Sequence, residues 1–365
     1  MNSGFYTERL RELEATGNLR SLPGDTPAGV YDLSSNDYLG IADDASFADD
    51  FLAGTEITAA EFTSSASRLL GPRQHAYEAL ECTLQEFYGR PALLFNSGYH
   101  ANVGIVQALA DKRTLVLADK LIHASVIDGV RMSGAAFERF RHNDVRHLER
   151  LIERRQSDFD RLLVIVESVY SMDGDQAPLQ ELAALKKRWP KIMLYVDEAH
   201  AVGVCGPSGL GLALALPREC GADIVVGTLG KALASAGAFA ICDGAVRSYL
   251  INKARSLIFS TALPPLQALW SKYVMERMVL MDDRREHLRS LGAELSSFTG
   301  CRHHGHIQPL VTGSAESALA MSAALLDAGY KVLPIRTPTV PPGTERLRFS
   351  LSAALPLMAI KNLKK

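Results

Sequence analysis

The chain predicts an α/β fold, with a large domain built on a mostly parallel sheet sandwiched by helices and a smaller α+β C-terminal domain. Three observations predict it. Short β-branched strands at 114–118, 162–167, 193–196, 223–227 and 238–242 alternate with amphipathic helical stretches. That alternation builds a parallel sheet with helices on both faces and places ligands at the carboxyl ends of the strands. After Pro264-Pro265 a long charged helix, over about 266–291, leads into strand–helix–strand units that end at 346–352. Finally, 365 residues with 47% hydrophobic content can bury one large core and a second, smaller one. The expected division is an N-terminal segment 1–40, a large domain 41–265 and a small domain 266–365.

Composition narrows the class of partner. A net charge of −2 without a basic tract gives no electrostatic case for nucleic acid or an acidic membrane. Residues 1–17 mix charges at helical spacing and lack the apolar run of a signal peptide, and no run of about 18 apolar residues follows. A cytoplasmic protein is expected. The five cysteines form no CxxC and no paired framework, so reduced thiols are expected. His303, His304 and His306 precede a strand at 307–311 and read as a solvated loop rather than a metal site, and no metal is expected.

Function is concentrated in three segments. In the stretch 223–232 (DIVVGTLGKA), Lys231 stands just beyond an apolar strand among small residues. An imine-forming lysine must lose its proton, and lowering its pKa from about 10.4 to roughly 7–8 takes about 4 kcal/mol of desolvation or nearby positive charge. Gly230, Ala232, Ala234, Ser235, Ala236 and Gly237 leave room for a planar ring. In 194–200 (LYVDEAH) an apolar strand stops at Asp197, with His200 three residues later. In enzymes that use pyridoxal 5′-phosphate (PLP), such an aspartate pairs with the protonated pyridine nitrogen, and His200 then suits the ring's phenolic oxygen. A helix N-cap or a metal-ligand pair are the alternatives for Asp197. In 93–102 (LLFNSGYHAN) a strand turns through Gly98 into a helix that Tyr99 opens, a joint suited to a phosphate. Neither GxGxxG nor a Walker P-loop occurs at this joint, which argues against a dinucleotide or ATP fold.

Taken together, Lys231, Asp197, His200 and Gly98-Tyr99 resemble the α-oxoamine synthases, a family of fold-type I PLP transferases. Further segments match that pattern in order: 34–40 (SSNDYLG), 66–69 (ASRL), 119–125 (DKLIHAS), 171–175 (SMDGD) and 335–348 (IRTPTVPPGTERLR). The resemblance implies that Lys231 forms the Schiff base with PLP, Asp197 pairs with the pyridinium and His123 stacks on the opposite ring face; a satisfied surface or cap residue is the alternative for His123. It implies that Ser171, His200 and Thr228 touch cofactor oxygens and that Gly98 and Tyr99 hold the phosphate. Ser260 and Thr261 resemble residues that reach the phosphate of a neighbouring subunit, which implies a homodimer with shared active sites. Asn36 and Arg348 match positions that hold the amino-acid substrate, with Arg348 clamping its carboxylate. Arg20 and Thr339 match contacts to the acyl substrate, Arg20 meeting its distal carboxylate; a plain helix-end role is the alternative for Arg20.

The implied reaction is a decarboxylative condensation of an amino acid with an acyl thioester. The nearest pattern within the family takes L-alanine and a pimeloyl thioester. A sibling that uses glycine or serine is the alternative, and a non-catalytic PLP-fold binding protein is a third reading. Two departures from the family pattern stand out. Hydroxyl residues at 63–65 (TSS) replace a glycine-rich lead, and Ala234-Ser235-Ala236 replaces a glycine-bearing turn.

Overall fold

The protein is described here by a computed structural model that covers residues 3–22, 24–71 and 74–363. Two compact units emerge. The larger comprises Leu39–Tyr170 and Asp175–Arg285, and the smaller comprises the residues up to Tyr38, Ser171–Gly174 and the residues from Glu286 onward.

The larger unit is organised on seven strands: β1 (Ala92–Phe95), β2 (Thr114–Asp119), β3 (Ala136–Phe140), β4 (Arg161–Glu167), β5 (Ile192–Asp197), β6 (Ile224–Thr228) and β7 (Ala238–Ile241). Their spatial order is β1-β7-β6-β5-β4-β2-β3, and only β7 runs against its neighbours. Strands β2 and β6 are buried along their whole length, which is why they read as continuous apolar runs instead of alternating ones. Within β6, a Cβ on Gly227 would sit 2.3 Å from the ring of Phe239 on β7, so glycine there makes room for a large core side chain. The helices Gly98–Leu109 and Ala124–Ser133 cross on one face of the sheet. Gly129 lets them approach, since a Cβ there would lie 2.9 Å from Val106 Cβ. Because the strands are parallel, β2, β4, β5 and β6 end on one edge, at Asp119, Glu167, Asp197 and Thr228. That edge is where a doubly covered sheet binds its ligand.

The smaller unit holds an antiparallel sheet with Arg346–Ser350 between Leu333–Ile335 and Ile307–Val311, and a short parallel pair, Tyr31–Asp32 with Tyr330–Lys331. The helix Ala315–Asp327 belongs to this unit. Among the described residues no helix is long and apolar enough to cross a membrane.

Two expectations need correction. The single charged helix over about 266–291 is two helices, Pro265–Met278 and Asp282–Thr299. Arg285 ends the first by donating from Nη1 to the Met278 carbonyl at 2.8 Å and from Nη2 to the Val279 carbonyl at 3.2 Å. Asp282 and Asp283 then open the second, where acidic side chains favour the positive end of the helix dipole. The three histidines before Ile307 do not form a solvated loop, for only His304 is exposed. His303 Nε2 donates to the Asp173 carbonyl at 2.9 Å, and buried His306 packs edge-on against Tyr38 with ring centroids 4.3 Å apart.

The end of β2 carries a charged clasp within the larger unit. His142 places Nδ1 2.9 Å from Asp119 Oδ1 and Nε2 2.8 Å from Asp175 Oδ2. Two carboxylates facing both ring nitrogens call for an imidazolium. Burial opposes that charge, but the hydrogen bonds to Asp119 and Asp175 overcome it and raise the His142 pKa to about 10. A raised native pKa contributes stability that is fully present below about 6.5 and is lost as pH rises through about 10. With solvent on one side, the contribution is of order 2–4 kcal/mol. Denaturant titrations at pH 6, 8 and 9.5 should therefore show stability falling with pH in the wild type and a flatter profile in His142→Asn; equal slopes would refute the clasp.

Candidate active site

The loop after β6 is tight, because β6 and β7 are adjacent and antiparallel. Leu229 N donates to the Gly237 carbonyl and Ser235 N to the Leu229 carbonyl, both at 2.9 Å. Lys231 sits in this loop with Nζ 2.8 Å from His200 Nε2, so two of the expected groups meet. Ala234 adopts φ +44°, a left-handed conformation that favours glycine. The helix Pro265–Met278 holds it there: Trp270 Nε1 donates to the Ala234 carbonyl at 3.0 Å, and Ser235 Oγ lies 2.6 Å from both Ser271 Oγ and Gln267 Nε2. The other departure behaves alike. Ser65 has φ +54°, and Thr63 Oγ1 accepts from its backbone N at 3.0 Å. Both sites keep glycine-like geometry without the glycine.

Asp197 ends β5 and is 4% exposed. Its Oδ2 accepts from Asn102 Nδ2 at 2.8 Å and its Oδ1 from the Ala199 amide at 2.9 Å. Both of these hydrogen-bond donors are neutral. The next residue, Glu198, serves the fold instead. Ser168 Oγ donates to its Oε2 and the Ala213 amide to its Oε1, while burial pushes its pKa up to about 7. Strand alternation thus sends one acid of the pair into the Asn102 network and the other into loop packing.

Asn102, one turn into the helix Gly98–Leu109, escaped the sequence reading although it is a buried amide on an otherwise apolar inner face. Its Oδ1 accepts from Tyr195 at 2.6 Å, and its Nδ2 also reaches Ser125 Oγ at 2.9 Å. Ser125 Oγ in turn lies 2.7 Å from His123 Nδ1, and His123 caps the helix Ala124–Ser133. Asp197 and His123 are thereby joined through Asn102 and Ser125. The His123 ring is exposed, yet protein atoms crowd it. That crowding, with the Lys231 charge adding, pulls its pKa below the ordinary value against the opposing pull of Asp197.

At the turn after β1, Ser97 caps the helix by accepting from the His100 amide at 3.1 Å, which leaves the Gly98 and Tyr99 amides at the positive end of the dipole. The turn abuts β6: a Cβ on Gly98 would lie 3.9 Å from Thr228 Oγ1. Tyr99 is exposed and donates to Asp128 at 2.9 Å. Ser260 and Thr261 are tied to the other side of this turn, where Asn96 Nδ2 donates to Ser260 Oγ at 3.0 Å and to the Thr261 carbonyl.

The remaining candidates fall in the smaller unit. Arg348 is 4% exposed, and its donors go to neutral acceptors: the Ser171 carbonyl at 2.6 Å, Asn36 Oδ1 at 3.2 Å and the Tyr38 hydroxyl at 3.4 Å. Its neighbour Arg346 instead pairs with Asp173 at 2.6 Å. Arg20 and Thr339, 319 residues apart in sequence, meet at 2.8 Å between Nη2 and Oγ1.

A buried carboxylate met by two neutral donors, a lysine beside a histidine and helix-terminal amides together match the groups of PLP: a cationic ring nitrogen, an aldehyde and a phosphate. The chain belongs to the family described as aminotransferase class I and II, whose model matches residues 28–364. It is a PLP-dependent acyltransferase with the fold-type I architecture of the α-oxoamine synthases. Among its relatives, a protein of Haemophilus ducreyi named 8-amino-7-oxononanoate synthase is 45% identical over 96% of this chain and 96% of its own length. A solved serine palmitoyltransferase from S. paucimobilis, with a bound PLP–myriocin aldimine, superposes with a TM-score of 0.88 at 29% identity, covering 98% of this chain and 94% of its own. An 8-amino-7-oxononanoate synthase from Francisella tularensis superposes with a TM-score of 0.73 at 26% identity over 91% of this chain and 95% of its own.

The buried amide network makes a direct stability prediction. Tyr195→Phe strips the donor from Asn102 Oδ1 and should cost about 1–3 kcal/mol in denaturant unfolding, as for other orphaned buried acceptors. Wild-type stability in that variant would show that the Tyr195–Asn102 bond is not formed.

Proposed function

We propose that this enzyme condenses L-alanine with a pimeloyl thioester, carried on CoA or a carrier protein, to give 8-amino-7-oxononanoate, carbon dioxide and the free thiol, a step of biotin biosynthesis. The observation that carries the reading is the pairing of Arg20 with Thr339 at 2.8 Å. An exposed guanidinium beside a hydroxyl is a fitting anchor for the far carboxylate of a dicarboxylic acyl chain, and a monocarboxylic chain has no use for it. The names of relatives such as the Haemophilus ducreyi protein agree with this choice.

Bound PLP supplies an electron sink for charge developing at the substrate Cα. Lys231 Nζ anchors the cofactor and moves a proton to and from Cα, with His200 Nε2 at 2.8 Å holding the amine in place. Asp197 keeps the ring nitrogen protonated. The Gly98 and Tyr99 amides hold the phosphate, and Ser171 and Thr228 are assigned to other cofactor oxygens. Arg348 and Asn36 orient the alanine carboxylate. A guanidinium 4% exposed among neutral acceptors gains most from an anionic ligand. The reading also carries a homodimer in which Ser260 and Thr261 serve the partner's phosphate. Exposed Phe259 precedes that segment, and the Ala262 amide donates at 2.9 Å to the carbonyl of Ala66, near which exposed Phe62, Leu69 and Leu70 lie in sequence.

The structural likeness to serine palmitoyltransferases favours one second reading, a sibling synthase that takes serine or glycine with a longer acyl chain. Kinetics with pimeloyl-CoA, heptanoyl-CoA and palmitoyl-CoA, each with alanine, glycine and serine, separate the two. The proposal expects the alanine–pimeloyl pair to dominate, and Arg20→Ala to raise KM for pimeloyl-CoA at least tenfold without changing it for heptanoyl-CoA. A preference for serine with palmitoyl-CoA would transfer the assignment.

Two substitutions probe the assigned roles. Lys231→Ala should abolish both turnover and the visible absorbance shift that PLP acquires on joining the lysine; turnover at the wild-type rate would remove Lys231 from the mechanism. Arg348→Ala should weaken alanine binding at least a hundredfold, the size expected for losing about 3–5 kcal/mol of charge pairing. An unchanged affinity in an absorbance titration would show that the alanine carboxylate sits elsewhere.

A further inference from the structure

We propose that Asp197 dictates where His123 carries its proton, through Asn102 and Ser125, so that His123 works as a neutral imidazole with an Nε2–H donor and not as a base at Nδ1. The polarity follows link by link. Both oxygens of Asp197 accept hydrogen bonds, from Asn102 and from the Ala199 amide, so the Asn102 group facing Asp197 is the NH2. The Asn102 carbonyl then faces Tyr195, whose hydroxyl donates to it at 2.6 Å. Burial drives the Tyr195 pKa well above its ordinary value, so the phenol keeps its proton for that bond.

The second hydrogen on Asn102 Nδ2 goes to Ser125 Oγ at 2.9 Å. Ser125 is fully buried, and its hydroxyl has one further neighbour among the described residues, His123 Nδ1 at 2.7 Å. Having accepted from Asn102, the hydroxyl spends its own proton on Nδ1. The Ser125 backbone amide points at the same nitrogen, at 3.3 Å. An atom that receives two donors holds no proton, which leaves the imidazole hydrogen on Nε2. The groups whose charges act on the ring are Asp197, Lys231 and Asp128.

The consequence concerns the reaction class already assigned, but it rests only on Asp197 being ionised and not on which thioester is used. His123 Nε2 makes no hydrogen bond among the described residues, and its ring is exposed. It therefore offers one N–H to an oxygen of a bound ligand, a carbonyl or a carboxylate. Proton movement at Cα is left to Lys231. His123 is in this sense a donor whose tautomer is set from the cofactor-facing acid, and Asn102 and Ser125 are positioning residues.

Protein labelled with 15N-histidine, without and with PLP at neutral pH, reads the tautomer from two-bond 1H–15N couplings. The chain has 10 histidines, and loss of one signal set in His123→Gln assigns the resonance. The expected result is Nε2 protonated and Nδ1 bare in both states. Ser125→Ala removes the hydroxyl donor and should raise the His123 titration midpoint by about one unit, since the neutral form loses a hydrogen bond. Tyr195→Phe leaves Asp197 in control and should keep the wild-type tautomer. A proton on Nδ1 in the wild type would overturn the proposal, as would a midpoint unmoved by Ser125→Ala. Should Ser125→Ala fail to fold, the wild-type couplings decide alone. These readouts need no acyl substrate, so they stand or fall separately from the choice of pimeloyl thioester.

Discussion

The hydrogen-bond network at the centre of the sheet's carboxyl edge is built around one buried charge. Asp197 stands at the end of β5, fifth of the seven strands in chain order and fourth across the sheet, at 4% exposure. A carboxylate in that position costs several kcal/mol unless donors meet it. The fold brings Asn102 Nδ2 from the helix Gly98–Leu109 and the backbone amide of Ala199. Asn102 can reach it only because that helix lies close against the sheet and against the helix Ala124–Ser133, a closeness that Gly129 makes possible. The amide and backbone donors are neutral, so the negative charge remains for a cationic ligand. A protonated PLP ring nitrogen would be such a ligand, and its positive charge is what lets the ring draw electrons from a bound substrate.

The lysine answers a second constraint, that of rigidity. Its loop joins adjacent antiparallel strands and is pinned from the helix Pro265–Met278 at Ala234 and Ser235. The pins matter because Ala234 holds a left-handed conformation, which costs an ordinary residue of order 1 kcal/mol. A slack loop would relax it and move Lys231 away from His200. Packing in one helix thereby fixes the position of the Lys231 amine.

Much of this was legible in the sequence, and the parts that were not share a cause. The strand-by-strand alternation gave β2, β4, β5, β6 and β7 to within two residues, because strands buried on both faces leave unbroken apolar runs. Lys231 and Asp197 announced themselves as charges at strand ends, and Arg20 and Thr339 turned out to meet despite lying at opposite ends of the chain. What stayed hidden depends on partners distant in sequence. Asn102 looks like any polar helix residue until Asp197 and Tyr195 are brought to it. The break between the helices Pro265–Met278 and Asp282–Thr299 is made by a side chain, Arg285, that reaches back seven residues to cap a carbonyl. The histidines near 303 acquire their partners only when the smaller unit folds, His303 on Asp173 and His306 on Tyr38. Glycine-like backbone at Ser65 and Ala234 was masked by the residues themselves, since neighbouring side chains and not the residue type impose it.

The central claim is that the buried Asp197 carboxylate is completed by a protonated ring nitrogen. The 15N chemical shift of PLP labelled at that nitrogen, bound to the protein at pH 8, tests it most directly. The account predicts a pyridinium signal in the wild type that reverts toward the unprotonated value in Asp197→Asn. An unprotonated nitrogen in the wild type, or a signal indifferent to Asp197→Asn, would contradict it.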